Sequence, residues 1–253
     1  MIVNLAVPEN KYYQKLYSNE EYIKNNNIRI LPMKEEQALE LLLDSRIDAA
    51  LISPLAYGSA VGKCDLRIIP SKLCIAENYT DAVSIYFKQG IVEILSATLP
   101  TNDSYISNIA QILLKEKYEL FPKALFKNEF PDDFSSDILV SWFNSEEFQN
   151  KINLTEEWFD TFFNPLPMAM WVSKVEETPA DLLEITNNLF KSENLTDDFY
   201  VQKPFKNDFY VQEGKIYWEW EKDFKVVLDN IVQILYFHQL LPELPEVKFY
   251  EGL

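Results

Sequence analysis

The segment at residues 28–53, IRILPMKEEQALELLLDSRIDAALIS, decides the fold class of this chain. Residues 28–31 and 48–53 are short apolar runs, which predict buried strands. Between them, residues 34–45 carry Leu and Ala at helical spacing among Lys, Glu and Asp, which predicts an amphipathic helix. A strand, a helix and a strand with short connections indicate parallel pairing, and therefore an α/β fold.

The pattern continues outward on both sides of this segment. Buried strands are predicted at residues 2–7, 66–69, 82–88, 138–140 and 167–172, and helices at residues 9–24, 104–117, 179–190 and 223–239. A short strand is also expected at residues 91–95. Residues 118–136, which hold Pro122 and Pro131, have the weakest pattern and are expected to be irregular.

The chain is strongly acidic, with 40 acidic and 23 basic residues among 253 and a formal charge of −17. Such a surface repels phosphate backbones and acidic lipid headgroups, so neither nucleic acid nor a membrane surface is an expected partner. No stretch approaches the ~18 apolar residues of a membrane span. The N-terminus has no basic segment followed by a long apolar one, which favours a cytoplasmic location; a chain whose export signal had been removed would look the same.

The residues for metal or phosphate chemistry are scarce. Two cysteines, Cys64 and Cys74, and one histidine, His238, do not form a zinc-site pattern, so no metal and no cofactor is expected. Five glycines in the whole chain supply no phosphate-cradling loop. No Gly-x-Ser-x-Gly elbow is present, which disfavours a serine hydrolase.

Two segments resemble a known family. Residues 46–57, RIDAALISPLAY, resemble a family segment in which a short acidic turn leads into a strand ending in serine. Residues 166–171, LPMAMW, resemble a second one, an apolar strand ending in tryptophan. Further matches follow in the same order at residues 82–87, 104–107 and 216–217. Together they are similar to the chorismate dehydratases of the futalosine route to menaquinone.

The resemblance implies a two-lobed periplasmic-binding-protein-like fold of type 2, in which two α/β lobes are joined by two crossing strands. We expect the first lobe at residues 1–86 and 173–253, the second at 87–172, and a ligand cleft between them. The implied function is a lyase reaction, the dehydration of chorismate to 3-enolpyruvylbenzoate, without a metal or organic cofactor. The alternative is a non-catalytic solute-binding protein of the same fold for a small anionic carboxylate ligand. The oligomeric state is left open.

Several residues are candidates for this site. Asn10 matches an asparagine that the family places in the cleft, and Ser84 faces away from the apolar neighbours on its strand; both are candidate catalytic residues. The candidate substrate-binding residues are Ser53, Tyr57, Asn102, Ser104, Ser107, Trp142 and Trp171. Ser53 ends a strand, where ligands of open α/β sheets bind. The others offer hydroxyl groups, a helix start or an aromatic ring. Each also has a structural alternative, as a helix cap or a core residue.

The chain departs from the family pattern at several of these positions. The usual Gly-Asp pair after the strand at residues 138–140 is Ser141-Trp142 here, and the usual Thr-Ser at the start of the second-lobe helix is Ile106-Ser107. The fold tolerates such changes more readily than the dehydratase activity does, so the two functional alternatives both remain. No residue is identified as a general base.

Overall fold

The computed structural model describes residues 2–101, 103–127, 136–142, 150–175, 182–191, 200–204 and 211–250, and only the backbone at 200–204 and 211. The strands are β1 (Val3–Pro8), β2 (Ile28–Met33), β3 (Ala49–Ile52), β4 (Leu66–Asn78), β5 (Ser84–Phe87), β6 (Ser96–Pro100), β7 (Lys123–Lys127), β8 (Ile138–Ser141), β9 (Lys151–Asn153), β10 (Leu166–Lys174), β11 (Tyr200–Pro204) and β12 (Val211–Glu219). The helices are α1 (Glu20–Asn25), α2 (Glu35–Leu43), α3 (Pro54–Ser59), α4 (Ser104–Tyr118), α5 (Leu154–Phe162), α6 (Leu182–Asn188) and α7 (Phe224–Phe237), with a 3-10 helix at Lys11–Tyr17.

The described part of the chain contains two sheets. One has the strand order β11-β12-β4-β10-β3-β1-β2, and the other has the order β7-β6-β8-β5-β9. The chain divides into two compact units: Met1–Ile75, Pro167–Asp197 and Tyr217–Leu253 form the first, and Ala76–Leu166 and Asp198–Ile216 form the second. These boundaries differ from the expected ones, because β4 runs on to Asn78 and the segment after it bonds within the second unit.

The first unit is built on parallel strands, as its sequence predicts. β1 pairs in parallel with β2 on one side and with β3 on the other, and Leu5 lies opposite both Ile30 and Ala49. Both β3 and most of β10 are buried, which explains why their sequences are continuous apolar runs. α2 buries Ala38, Leu39 and Leu42 on one face, the helical spacing seen in the sequence.

The second unit has a mixed sheet covered by helices. β6 runs parallel to β7 and β8, whereas β5 is antiparallel to β8 and β9. Asp103 caps α4, and the helix ends at Glu119 in a left-handed conformation with φ of 55°. α5 contributes Trp158, whose side chain is fully buried. This unit therefore has an apolar core of its own.

Four sequence-based expectations for secondary structure are wrong, and one of them is the end of β4, which was expected at Ile69 and lies at Asn78. Residues 91–95 form no strand; the strand of this region begins at Ser96. The expected irregular segment at 118–136 contains β7, which pairs with β6 through its full length. The single helix expected at 9–24 is a 3-10 helix that ends at its C-cap Ser18, followed by α1, which Asn19 caps.

Candidate functional site

The carboxyl ends of β1, β2 and β3 lie at one edge of the first unit's sheet, because the three strands are parallel neighbours. Asn10 follows β1, Glu35 follows β2 and Ser53 follows β3. We call these three residues the strand-end edge. Ligands of open α/β sheets bind beyond the carboxyl ends of strands, so the strand-end edge is the first unit's candidate ligand site.

Ser53 is held by a carboxylate at this edge. Its hydroxyl donates to Glu35 Oε2 at 2.9 Å, and its backbone N–H donates to Glu35 Oε1 in a short hydrogen bond. The same hydroxyl accepts from the Ala56 N–H at 3.3 Å and so caps α3. Ser53 is 4% exposed. Both of the donors with which Ser53 could bind an anion are therefore engaged by the chain's own Glu35.

Asn10 has a capping geometry. Its Oδ1 accepts from the Tyr12 N–H at 3.0 Å, and its backbone is extended, as at a helix N-cap. The contact starts the 3-10 helix that follows β1. Capping and ligand binding use different atoms of this side chain, because the cap occupies the amide oxygen and not the amide nitrogen.

Tyr57 lies in α3 and bonds to the C-terminal segment. Its hydroxyl donates to the Glu246 carbonyl and accepts from the Lys248 N–H, both at 3.0 Å. Burial raises the pKa of this hydroxyl, with the Lys248 N–H acting in the opposite direction. Tyr57 also lines a cavity of about 540 Å³ in the first unit, together with Cys64 and Asp65. Its position there ties α3 to the chain's last segment.

Trp171 belongs to the core of the first unit. Its side chain is fully buried in β10, in register with Leu51 of β3. Its indole N–H has no hydrogen-bond partner among the described residues. The expected stacking on a ligand ring stays a prediction, whereas the packing against β3 is shown.

In the second unit, three polar side chains form a row across the sheet. Ser84 at the start of β5 lies opposite Ser141 of β8 and Asn153 of β9, and we call these three the polar row. The exposed fractions are 3% for Ser84, 7% for Ser141 and 4% for Asn153. Because β6, β7, β8 and β9 all run in the same direction, this edge holds the carboxyl ends of four strands, including Ser141 at the end of β8 and Asn153 at the end of β9.

The start of α4 lies next to Trp142 in this unit. Asp103 Oδ1 accepts from the Ile106 N–H at 2.9 Å, and Asp103 Oδ2 accepts from the Trp142 indole N–H at 3.0 Å. The carboxylate thus caps the helix and orients the indole, which places a negative charge at the helix start that the sequence analysis considered for anion binding.

The other candidates on α4 differ in their contacts. Ser107 is 1% exposed, and its hydroxyl donates to the Pro100 carbonyl at 2.7 Å. Ser104 is half-buried at the first position of the helix, and its carbonyl accepts from Asn108 Nδ2 at 2.8 Å. Asn102 lies outside the described residues. Ser107 therefore fixes the loop between β6 and α4.

A neutral hydrogen-bond network lies beside the polar row. Thr155 Oγ1 is within 2.7 Å of both the Asn78 carbonyl and Asn153 Oδ1, and within 2.8 Å of Thr80 Oγ1. Asn153 Oδ1 also accepts from the Glu156 N–H at 3.1 Å, which caps α5. Thr155 is fully buried. This network joins the segment after β4 to the start of α5.

Sequence reasoning missed Glu35 as a site residue. The sequence analysis includes it only as one of the acidic residues of the amphipathic helix predicted at residues 34–45. The signal was its place directly after a strand, the same place that identified Ser53. Glu35 is the ionisable group of the strand-end edge.

Features for other kinds of site are few in the described residues. No three His, Cys, Asp or Glu side chains are grouped there as metal ligands. None of the described helices is both long and apolar enough to cross a membrane. A second cavity, of about 590 Å³, lies in the second unit and is lined by Lys88, Lys151 and apolar residues including Ile91 and Val92.

Comparison with known proteins identifies the fold class. An ABC transporter structure from Parabacteroides distasonis is similar with a TM-score of 0.59 at 9% identity, covering 100% of this chain and 99% of that one. XAC2383 from Xanthomonas citri, bound to ATP, is similar with a TM-score of 0.55 at 10% identity, covering 96% and 99%. The periplasmic aliphatic sulphonate binding protein SsuA from Escherichia coli is similar with a TM-score of 0.52 at 10% identity, covering 100% and 94%.

These likenesses confirm the predicted fold class: the chain has a mixed α/β fold like that of the two-lobed periplasmic-binding-protein-like proteins. At 9–10% identity they show the fold alone. No protein-family model matches the chain. No curated protein matches it either. The particular family expected from the sequence therefore stays a proposal.

Proposed function

We propose that this protein binds a small polar molecule without transforming it. The observation that carries the proposal is the strand-end edge, where Asn10, Glu35 and Ser53 follow three parallel strands of one sheet. This is the position at which open α/β sheets bind ligands. The likeness in fold to solute-binding proteins such as SsuA supports the same conclusion.

The residues at this edge suit recognition better than chemistry. Asn10 has an amide nitrogen beyond its cap, and Glu35 offers a carboxylate whose position Ser53 fixes with two hydrogen bonds. A carboxylate fixed in this way needs little reorganisation when a ligand binds, which favours affinity.

A thermal-shift and calorimetric screen of small polar molecules tests this function. We expect at least one ligand to raise the melting temperature, because binding to the native state stabilises it by mass action. Asn10→Ser is the test variant, since its hydroxyl can keep the cap and it removes the amide nitrogen without adding a charge. It should weaken binding about tenfold and leave the unliganded melting temperature nearly unchanged. Lack of binding by any compound would refute the proposal.

A second candidate function is chorismate dehydratase in menaquinone biosynthesis. One observation favours it: the two segments that most resemble the family, at residues 46–57 and 166–171, are neighbours in the sheet. Met170 pairs with Ile52 and Trp171 with Leu51, in antiparallel register. If the two segments form one active site, they must lie close together in space, and this pairing meets that requirement. This candidate places the protein in the cytoplasm and makes it a lyase with a dicarboxylate substrate.

The two candidates are separated by turnover of chorismate. Purified protein would be incubated with chorismate, and 3-enolpyruvylbenzoate would be followed by absorbance and mass. Turnover that Asn10→Ala abolishes supports the dehydratase. A thermal shift with chorismate and no product supports binding alone. If neither turnover nor a thermal shift is seen, chorismate is excluded both as a substrate and as a ligand.

A further inference from the structure

The Glu35–Ser53 pair occupies the position that an anionic ligand would need. A carboxylate bound beyond β3 would use the Ser53 N–H and hydroxyl, and Glu35 already accepts both. An incoming anion must therefore displace Glu35 from Ser53. The negative charge of Glu35 would also repel the anion at short range. A ligand group with a hydrogen to donate can bind the Glu35 carboxylate without displacing it from Ser53, because a carboxylate has about four acceptor sites.

The geometry indicates that the pair is a built feature of the first unit. Ser53 is 4% exposed and is fixed at the end of β3 by its bond to Ala56. Glu35 begins α2, in a first turn that also favours a negative charge. Both oxygens of the Glu35 carboxylate accept hydrogen bonds from Ser53, so the carboxylate has a defined orientation.

The second unit repeats the arrangement with different residues. There Asp103 places its carboxylate at the start of α4, with one oxygen on the Ile106 N–H and the other on the Trp142 indole. In both units an internal carboxylate takes a donor at a position that the sequence analysis considered for an anion: the end of β3 in the first unit and the start of α4 in the second. The overall charge of −17 acts in the same direction.

We propose that Glu35 determines the charge selectivity of the strand-end edge, excluding carboxylates from Ser53 and selecting a ligand that presents an ammonium or hydroxyl group there. The proposal rests on the ligand-binding function proposed above and specifies its ligand class. It replaces the anionic carboxylate ligand expected from the sequence. Glu35 acts in it as a specificity residue, with Ser53 as the residue that positions it.

Three compounds of one shape test the selectivity: benzylamine, benzyl alcohol and benzoate, titrated by calorimetry at about 0.15 M salt to screen the surface charge. Wild-type protein should bind benzylamine at least tenfold more tightly than benzoate, with benzyl alcohol between them. Glu35→Gln keeps an acceptor for Ser53 but removes the charge, and should abolish this preference. Glu35→Ala frees both Ser53 donors, and should bind benzoate at least tenfold more tightly than wild type.

Glu36→Gln is the matched control, since Glu36 is an exposed residue in the same helical turn and the charge change is identical. It should leave the preference for benzylamine intact. The selectivity proposal would be overturned if wild type bound benzoate as tightly as benzylamine and if Glu35→Ala did not change the affinity for benzoate. The ligand-binding function would still stand. Equal effects of Glu35→Gln and Glu36→Gln would also overturn it, by assigning the preference to overall charge. No binding of these compounds, with none in the wider screen, would refute ligand binding itself.

Discussion

The strand-end edge of the first unit and the polar row of the second are both polar regions at strand ends, but their chemistry differs. Glu35 at the strand-end edge is ionisable and half-buried. Ser84, Ser141 and Asn153 of the polar row are neutral and at most 7% exposed. A buried neutral group must be satisfied by its neighbours, whereas a half-buried charge can exchange partners. The difference supports a structural role for the polar row and is consistent with the ligand-binding role proposed for the strand-end edge.

The largest expected effect tests how tightly the second unit is packed beside the polar row. A Cβ on Gly214 would lie 1.8 Å from the Tyr79 carbonyl oxygen and 2.4 Å from its carbon. These are backbone atoms, so the two segments must separate, and the Tyr79 N–H would lose its bond to the Glu213 carbonyl. Gly214→Ala should therefore lower the free energy of unfolding by about 3 kcal/mol or more, measured by urea denaturation.

The control for this variant is Gly90→Ala. Gly90 has a φ of 75° but nothing within 4 Å of the added Cβ, so it isolates the cost of the left-handed conformation. That cost is about 1–2 kcal/mol. Equal destabilisation by the two variants would contradict the close packing of Gly214 against Tyr79.

The next effect tests whether the network beside the polar row is structural. Thr155→Val keeps the shape of the side chain but removes its hydroxyl, which leaves the Thr80 hydroxyl and the Asn78 carbonyl without this partner. Asn153 Oδ1 is affected less, because it still accepts from the Glu156 N–H. We expect a loss of about 2–3 kcal/mol in the free energy of unfolding. Thr155→Ser, which retains the hydroxyl, should lose less than half as much, and a reversed order would contradict a structural role.

Sequence reasoning recovered the centre of the first unit and missed features that depend on distant pairing. The alternation at residues 28–53 predicted β2, α2 and β3, since each element buries its own apolar face. β4 was expected at residues 66–69 only, because the apolar run ends at Ile69. The strand continues to Asn78. Within the missed part, the Ser71 carbonyl accepts from the N–H of Trp220, which lies far along the chain, so the local pattern does not predict this pairing.

The candidate site shows the same limit. The rule that ligands bind beyond strand ends located Ser53 correctly after β3, since that rule needs only the local pattern. It did not identify Glu35, because the contact between residues following β2 and β3 depends on the order β3-β1-β2 in the sheet. For the same reason, sequence alone described Ser53 as a donor for an anion and not as a residue already bonded.

A smaller effect sharpens the contrast at the strand-end edge. Ser53→Ala removes the cap of α3 and one of the two bonds to Glu35, while the backbone N–H remains. The loss in the free energy of unfolding should be about 1 kcal/mol, as for other N-caps. Ser59→Ala in the same helix removes only a bond to the Ala56 carbonyl and should cost less than about 0.5 kcal/mol. A loss as large as that of Thr155→Val would indicate that the strand-end edge is structural too.

The smallest effect concerns the ionisable residue of the second unit that lies beside the polar row. Burial, followed by the nearby charges of Glu157 and Asp160, raises the pKa of Glu156 above its ordinary value of 4.5. The folded state therefore holds this proton more tightly than the unfolded state, and stability falls as the pH rises from about 4.5 through the raised pKa.

Glu156→Gln removes the cost of ionising this group and keeps an acceptor for Gln212. The variant should match the stability of wild type near pH 4 and gain about 0.3–0.5 kcal/mol in the free energy of unfolding at pH 7, and the gain is small because the group is partly solvated. Glu157→Gln should show the opposite sign at pH 7, because Glu157 pairs with Lys117 at 2.7 Å. Melting temperatures of the three proteins across this pH range decide the point: a constant difference between Glu156→Gln and wild type would show that the charge of Glu156 costs the fold nothing.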